Sequence, residues 1–336
     1  MRPSVRTGSR ILLILLGAAT PAIAAAPYTA PELVLPVACH IGQDCLIQSY
    51  VDHDPGPAAT DYLCHGRTYQ GHDGTDFRVD SMDRQRGGVS VLAAAPGTVL
   101  RIRNDVADIS IRDPAAPPLA GQDCGNGLVI AHKDGWETQY CHMARGSVLV
   151  TPGQTVAAGA RLGRVGLSGN TEFPHLHLTV RHDGQVVDPF ADGARPGQCG
   201  GGRSLWRAST GIAQSYRRGA VLAAGFATGP VSMADATEHG AAQTPKPDRT
   251  APALVAFVQA VGLEAGDVQH LVLTDPAGAP LAENRAAPLD RDKAQTILFA
   301  GRRRPDTIWP AGLYHARYSV LRNGRVLITR DIEIRL

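Results

Sequence analysis

Aromatic residues are scarce, at 5% of 336 residues, and neither sign of charge is in excess. Lys and Arg number 33 against 31 Asp and Glu. That balance excludes a global electrostatic pull toward nucleic acid or anionic lipid. The one basic cluster, Arg302-Arg303-Arg304, reads as a solvated turn. Long hydrophobic runs are missing as well. The apolar stretch Ile11 to Ala19 is too short to span a bilayer, so no stable membrane anchor is expected. None of the 6 cysteines stands in a C-x-x-C spacing, which argues against a Cys/His zinc cluster. The segment Asp52-x-Asp54-x-Gly56 imitates a calcium loop but lacks its closing acid, because the twelfth position is Leu63; it reads as a turn.

What is present begins with an address. Arg2, Arg6 and Arg10 precede the apolar run, and Ala22-Ile23-Ala24-Ala25-Ala26 follows it. A basic region, a short apolar core and small residues make a secretory signal peptide over 1–26, cleaved after Ala24 or Ala26. No lipobox cysteine follows, which argues against a lipoprotein. Losing three arginines and no acid takes the formal charge from +2 to −1. The mature protein is therefore expected in the periplasm, the cell wall or the extracellular space. In that oxidising setting the cysteines are expected as disulfides. Cys39 and Cys45 close a short loop and form the expected pair; the connectivity of the other four stays open.

With 37 Gly and 24 Pro, the composition suits many short strands joined by turns, hence a mainly β fold. Residues 27–70 are turn-rich. From 71 to 190 the pattern is strand, turn, strand: Val89–Ala94 and Thr98–Ile102 around Pro96-Gly97, then Leu128–His132 and Glu137–His142 around Lys133-Asp134-Gly135. A long loop, 103–123, interrupts them, as functional rims do. The glycines of Gly163-x-x-Gly166-x-x-Gly169 lack the close pair and following helix of a phosphate cradle, so they are read as tight turns or close backbone approaches. The glycine-rich break 197–202 separates an expected domain over 27–200 from a second over 201–336. In the second, short alternating runs at 271–273, 296–299, 314–320 and 326–329, with the turn Asn323-Gly324, predict an immunoglobulin-like β-sandwich. Residues 235–250 are expected as a mobile loop, and no chemistry is legible in this half.

Chemistry concentrates in two motifs. Gly71-His72-Asp73-Gly74-Thr75-Asp76-Phe77 sets an imidazole and a carboxylate four residues apart, and Pro174-His175-Leu176-His177 sets two imidazoles two apart. On a strand, residues i and i+2 share a face, so His175 and His177 enter one groove and Leu176 turns away. By the same alternation Tyr140 and His142 are expected on one face and Cys141 on the other. Gly74, between His72 and Asp76, lets the chain curl both toward one point. Three ligands and a spare histidine describe a metal site with an open position, which is a hydrolytic arrangement.

Taken together, Gly71-His72-x-Gly74-x-Asp76-Phe77, Tyr140-x-His142, Pro152-Gly153 and Ser168-Gly169 ahead of Pro174-His175-Leu176-His177 resemble the lysostaphin/LytM-type zinc metallopeptidases, peptidoglycan endopeptidases of metallopeptidase family twenty-three. The resemblance covers about residues 70–190. It implies an antiparallel β-sheet that forms a groove, of the duplicated hybrid motif type, and one zinc ion per chain ligated by His72, Asp76 and His177. His142 and His175 would be the catalytic pair, their individual jobs left open, with Tyr69 offered as an oxyanion helper. Phe173 stands where the family usually has glycine, Cys141 precedes the catalytic-type histidine, and the 103–123 loop is long; these bear on groove shape and substrate preference.

The function expected from this is a secreted zinc endopeptidase that hydrolyses peptide cross-links of bacterial peptidoglycan through a metal-activated water. Two alternatives stand beside it: a non-catalytic module that binds wall or activates another hydrolase, and a peptidase acting on a protein. The sandwich half is left as a surface for a protein partner.

Overall fold

A computed structural model describes Met1, residues 29–243 and residues 245–336. The signal peptide expected over 1–26 lies outside the described residues. In the first half the chain runs through β1 (Cys45–Ser49), β2 (Thr75–Val79), α1 (Met82–Gly88), β3 (Ser90–Leu92), β4 (Gly97–Arg103), β5 (Asn126–Ala131), β6 (Trp136–Met143), β7 (Thr155–Val156), β8 (Arg161–Arg164), β9 (His175–His182) and β10 (Gln185–Val187). One antiparallel sheet has the order β1-β2-β9-β6-β5-β4-β7, with β10 on β9, while β3 and β8 form a separate pair.

Alternation decides what this sheet buries. Trp136, Tyr140, Leu176, Leu178 and Val180 point to one face and join Phe77, Val79 and Ile130 in the core. Burying each such side chain contributes about 1.5–3 kcal/mol. The opposite face is left to Asp76, Arg78, His175, His177, Thr179 and Arg181, and the site lies there. Hairpin β5–β6 turns where expected, with Asp134 and Gly135 at φ 55 and 75. Three disulfides brace the half: Cys39–Cys45 as expected, Cys64–Cys199 across 135 residues, and Cys124–Cys141, which ties the end of the long loop to β6.

In the second half come β11 (Ala220–Ala227), α2 (Met233–His239), β12 (Ala253–Leu263), β13 (Val268–Thr274), β14 (Pro280–Arg285), β15 (Lys293–Arg303), β16 (Leu313–Arg322) and β17 (Arg325–Arg335). Sheets β11-β12-β15 and β14-β13-β16-β17 are both antiparallel and share one core, in which Leu254, Ala256 and Val258 meet Leu271, Tyr314 and Tyr318. The hairpin at Asn323-Gly324 is present, with both residues at positive φ.

Three features differ from expectation. The loop expected over 235–250 is helical as far as His239, because Ser232 and Asp235 make a reciprocal capping box and Ala236 is buried. The 11-residue β12 carries no period-2 signal because nearly every residue in it is buried. Its second face meets α2, where Phe257 packs with Ala236. Arg302 and Arg303 end β15 as exposed strand residues rather than a turn. The halves touch through Gln48 Nε2, which donates to Ala294 O at 3.0 Å, and through Arg86–Glu238 and His239–Asp83 ion pairs between α1 and α2. Among the described residues no helix is long and apolar enough to cross a membrane.

Candidate metal centre

Strand pairing assembles the site. In the β2–β9 register Asp76 stands opposite His177, and the loop before β2 brings His72 over both. His72 Nε2 lies 3.2 Å from Asp76 Oδ1, His177 Nδ1 lies 2.9 Å from the same oxygen, and the two nitrogens are 3.1 Å apart. Hydrogen bonds on the far side of each ring fix which nitrogen is bare. His72 Nδ1–H donates to Tyr50 O at 2.6 Å. His177 Nε2–H is shared by Asp73 Oδ1 at 3.1 Å and Thr179 Oγ1 at 3.0 Å. With both imidazoles neutral, two nitrogen lone pairs and a carboxylate oxygen converge with no proton between them. Such a cluster is stabilised by a cation. Ligand bonds of about 2.0–2.1 Å in tetrahedral array put ligand atoms roughly 3.3 Å apart, so this triangle fits a metal. A second group of three, Cys39, Asp44 and Cys45, has its sulfurs joined to each other.

Charge at the triangle follows from its burial. Burial alone would raise the Asp76 carboxyl, but His72 and His175 beside it hold it well below the ordinary value. Burial opposes a charged His177, yet Asp73 and Asp76 outweigh it and raise that group to about 9. A metal and a proton therefore compete for His177 Nδ1.

Two local devices hold the ligands. Asp52, in the calcium-like segment, is a hub: Oδ1 accepts from the Asp54 and Thr60 amides, Oδ2 accepts from Gly71 N at 2.9 Å, and Asp52 N donates to His72 O at 2.8 Å. That segment thus pins the His72 loop. Gly74 is where the loop grazes β9, since a Cβ there would lie 2.5 Å from His177 Nε2.

His142 reaches the groove by breaking the strand alternation. Asn126 pairs with Met143 and Leu128 with Tyr140, so Gly127 alone opposes Cys141 and His142. In this bulge His142 takes φ 60, and the side chain swings to the Cys141 face. The expected sharing of one face by Tyr140 and His142 is corrected: Tyr140 lies in the core, where its hydroxyl accepts from Ala94 N at 2.8 Å. The bulge is held by His142 N donating to Cys124 O at 2.8 Å and Gly166 N donating to His142 O at 2.9 Å. Gly166 is needed because a Cβ would meet Ala144 N at 2.3 Å, which accounts for the glycine run without a phosphate.

The His142 and His175 rings stand 4.6 Å apart. His142 Nδ1–H donates to Ser168 O at 2.8 Å, leaving Nε2 bare. Burial, then the neighbouring His175 and His177, hold His142 well below the usual imidazole value, so it is neutral and able to accept a proton. His175 Nδ1–H donates to Phe173 O at 3.0 Å, and Nε2 lies 3.4 Å from Asp76 Oδ1.

A cleft of about 410 Å³ opens over these groups, lined by Tyr69, Asp73, Gln139, His142, His177 and Arg181 among others. Tyr69 is half exposed, with its ring 4.4 Å from that of His72. The Cys124–Cys141 disulfide forms part of the floor. Asp73, Thr179 and Arg181 were not singled out by the motifs. The period-2 rule applied beyond His177 points to Thr179 and Arg181; Asp73 carries no such signal.

An antiparallel groove with a His/Asp/His triangle and two adjacent histidines is the arrangement of a metal-dependent hydrolase. Residues 70–189 match the family model of Peptidase family M23, and this part of the chain is a domain of that family. Over 117 residues the chain is 32% identical to the Peptidoglycan DD-endopeptidase ShyA of Vibrio cholerae, covering 35% of this chain and 22% of that protein. Over 116 residues it is 31% identical to the Cell division protein DipM of Caulobacter vibrioides, covering 34% and 16%. The chain thus spans about a fifth of the length of these relatives. A crystal structure of a zinc containing peptidase from Vibrio cholerae aligns with TM-score 0.28 and 25% identity, over 42% of this chain and 38% of that one.

Proposed function

We propose that the protein is an exported, zinc-dependent endopeptidase that hydrolyses peptide cross-links of bacterial peptidoglycan. The observation that carries this reading is the triangle of His72 Nε2, Asp76 Oδ1 and His177 Nδ1 beside two further histidines in an open cleft. The M23 domain and the relatives named as peptidoglycan endopeptidases support the substrate class. Export rests on the signal peptide read over 1–26. We assign the peptidase to 27–200 and a separate sandwich to 201–336.

When bound, zinc would supply a Lewis acid and bring the pKa of a water toward neutrality. His72, Asp76 and His177 would hold it, and Asp73 and Thr179 fix the orientation of His177. His142 Nε2, bare and facing the cleft, takes the proton from the attacking water and returns it to the leaving amine. His175, held through Nδ1, presents a bare Nε2 beside Asp76 to orient the attacking water, and Tyr69 at the rim offers its hydroxyl to the developing oxyanion. The complete set of five residues favours catalysis over a purely binding role.

The test is digestion of purified sacculi by the mature protein, with His142→Ala and a zinc chelator as controls. Muropeptides released by the wild type alone are expected. Identical profiles in every tube, with zinc bound, would remove the assignment.

A further inference from the structure

Arg78 is the most anomalous charge near the site. It follows Asp76 on the groove face of β2, pairs in register with His175, and is 1% exposed. Among the described residues no carboxylate forms an ion pair with it. Nη1 donates to Gln48 Oε1 at 3.1 Å and Nη2 donates to Gln295 Oε1 at 3.0 Å, while buried Nε has no acceptor. Its Cζ lies 4.0 Å from the centroid of the Phe173 ring. A buried cation without an ion-pair partner is costly, and here two neutral amides, an aromatic face and the more distant Glu172 carboxylate compensate it.

The contacts form a chain from the second half of the protein to the reaction centre. Gln295 belongs to β15. The guanidinium it holds stacks on Phe173, whose carbonyl accepts from His175 Nδ1 at 3.0 Å, and the two rings stand 5.0 Å apart. Thr171 Oγ1 donates to the same carbonyl at 2.9 Å. We propose that Arg78 is a positioning residue through which the C-terminal sheet, by way of Gln295 and Phe173, sets the orientation and tautomer of His175. The second half then acts on catalysis from inside the molecule, and Phe173 is large because it must carry the cation. This rests on His175 acting in the proposed hydrolysis.

Removing Arg78 risks the fold, so the test perturbs the two ends of the chain of contacts. Gln295→Ala removes the outer acceptor, Phe173→Leu removes the aromatic face, and Gln295→Glu keeps an acceptor. Each protein is assayed on a peptide cross-link for kcat and KM, for bound zinc, and for the ¹⁵N resonances of His175 at fixed pH. The Ala and Leu variants are expected to lose about tenfold in kcat with KM and zinc nearly unchanged. Their His175 Nδ1 resonance moves while that of His72 stays, and Gln295→Glu stays near wild type. Unmoved His175 resonances, or losses that fall on KM and zinc content instead, would overturn the proposal. Moved His175 resonances in the Ala and Leu variants, with a wild type that cleaves no peptide, would keep the relay and remove the peptidase reading.

Discussion

Gly74→Ala is a one-methyl perturbation aimed at the metal centre. The added Cβ would sit 2.5 Å from His177 Nε2, 2.7 Å from Cε1 and 2.7 Å from Leu178 O. Ordinary contacts between such atoms are about 3.5–4.0 Å, so something must retreat by roughly 1 Å. Leu178 O belongs to the middle of β9 and is tied into the sheet, which leaves the imidazole to move. Moving it breaks the bonds from Nε2 to Asp73 and Thr179 and drags Nδ1 off the triangle. Overpacking of this kind costs about 1–3 kcal/mol of stability. Ligand distances tolerate only about 0.2 Å, so the larger effect falls on the metal. We expect zinc affinity to fall by about 100-fold or more, read by metal analysis after dialysis against a weak chelator. Gly87→Ala is the control: a Cβ there meets nothing within 4 Å, and it should keep its zinc and gain slightly in stability. Full zinc retention by Gly74→Ala, at wild-type melting temperature, would refute the packing argument.

Other outcomes follow from the same geometry. His142→Ala should lose about 10²–10⁴-fold in kcat while keeping its zinc, in a single-turnover assay with metal analysis. Asp52→Ala, which removes the hub under the His72 loop, should weaken zinc binding with little change in the far-ultraviolet spectrum. The folded-state pKa of His142 lies below its unfolded value of about 6.5, so on acidification the unfolded chain takes up this proton first. This site's contribution to stability is thus present above about pH 6.5 and lost below it; urea titrations of wild type and His142→Gln between pH 5 and 7.5 should differ in that direction. Replacing Cys64 and Cys199 by serine should cost more than replacing Cys39 and Cys45, because the enclosed loops differ. Chain entropy puts the figures at about 5 and about 2 kcal/mol, checked by denaturant midpoints.

Legibility in the sequence tracked periodicity. The hairpin at Asp134-Gly135, the groove-facing His175 and His177, and the Asn323-Gly324 turn followed from spacing-two alternation and turn chemistry. His142 shows where that logic ends: alternation assigned it to the face of Tyr140, and the bulge opposite Gly127 put it on the other. A bulge depends on the partner strand, which one strand's pattern does not encode. β12 was illegible for a related reason, since a strand covered on both faces does not alternate. Asp52 was noticed as half of a calcium motif, yet its partners Gly71 and His72 lie about twenty residues on. Arg78 carries no signal in the sequence, because its partner Gln295 lies 217 residues on.

The central claim is that His72, Asp76 and His177 hold a zinc ion that makes this cleft a peptidoglycan hydrolase. Its most direct test is one titration: mature protein stripped of metal, incubated with sacculi while zinc is restored in steps, with bound zinc and released muropeptides measured together. Release should rise in proportion to zinc up to one ion per chain and remain absent in Asp76→Ala. Muropeptide release from the stripped protein, or full occupancy by zinc with no release, would contradict it.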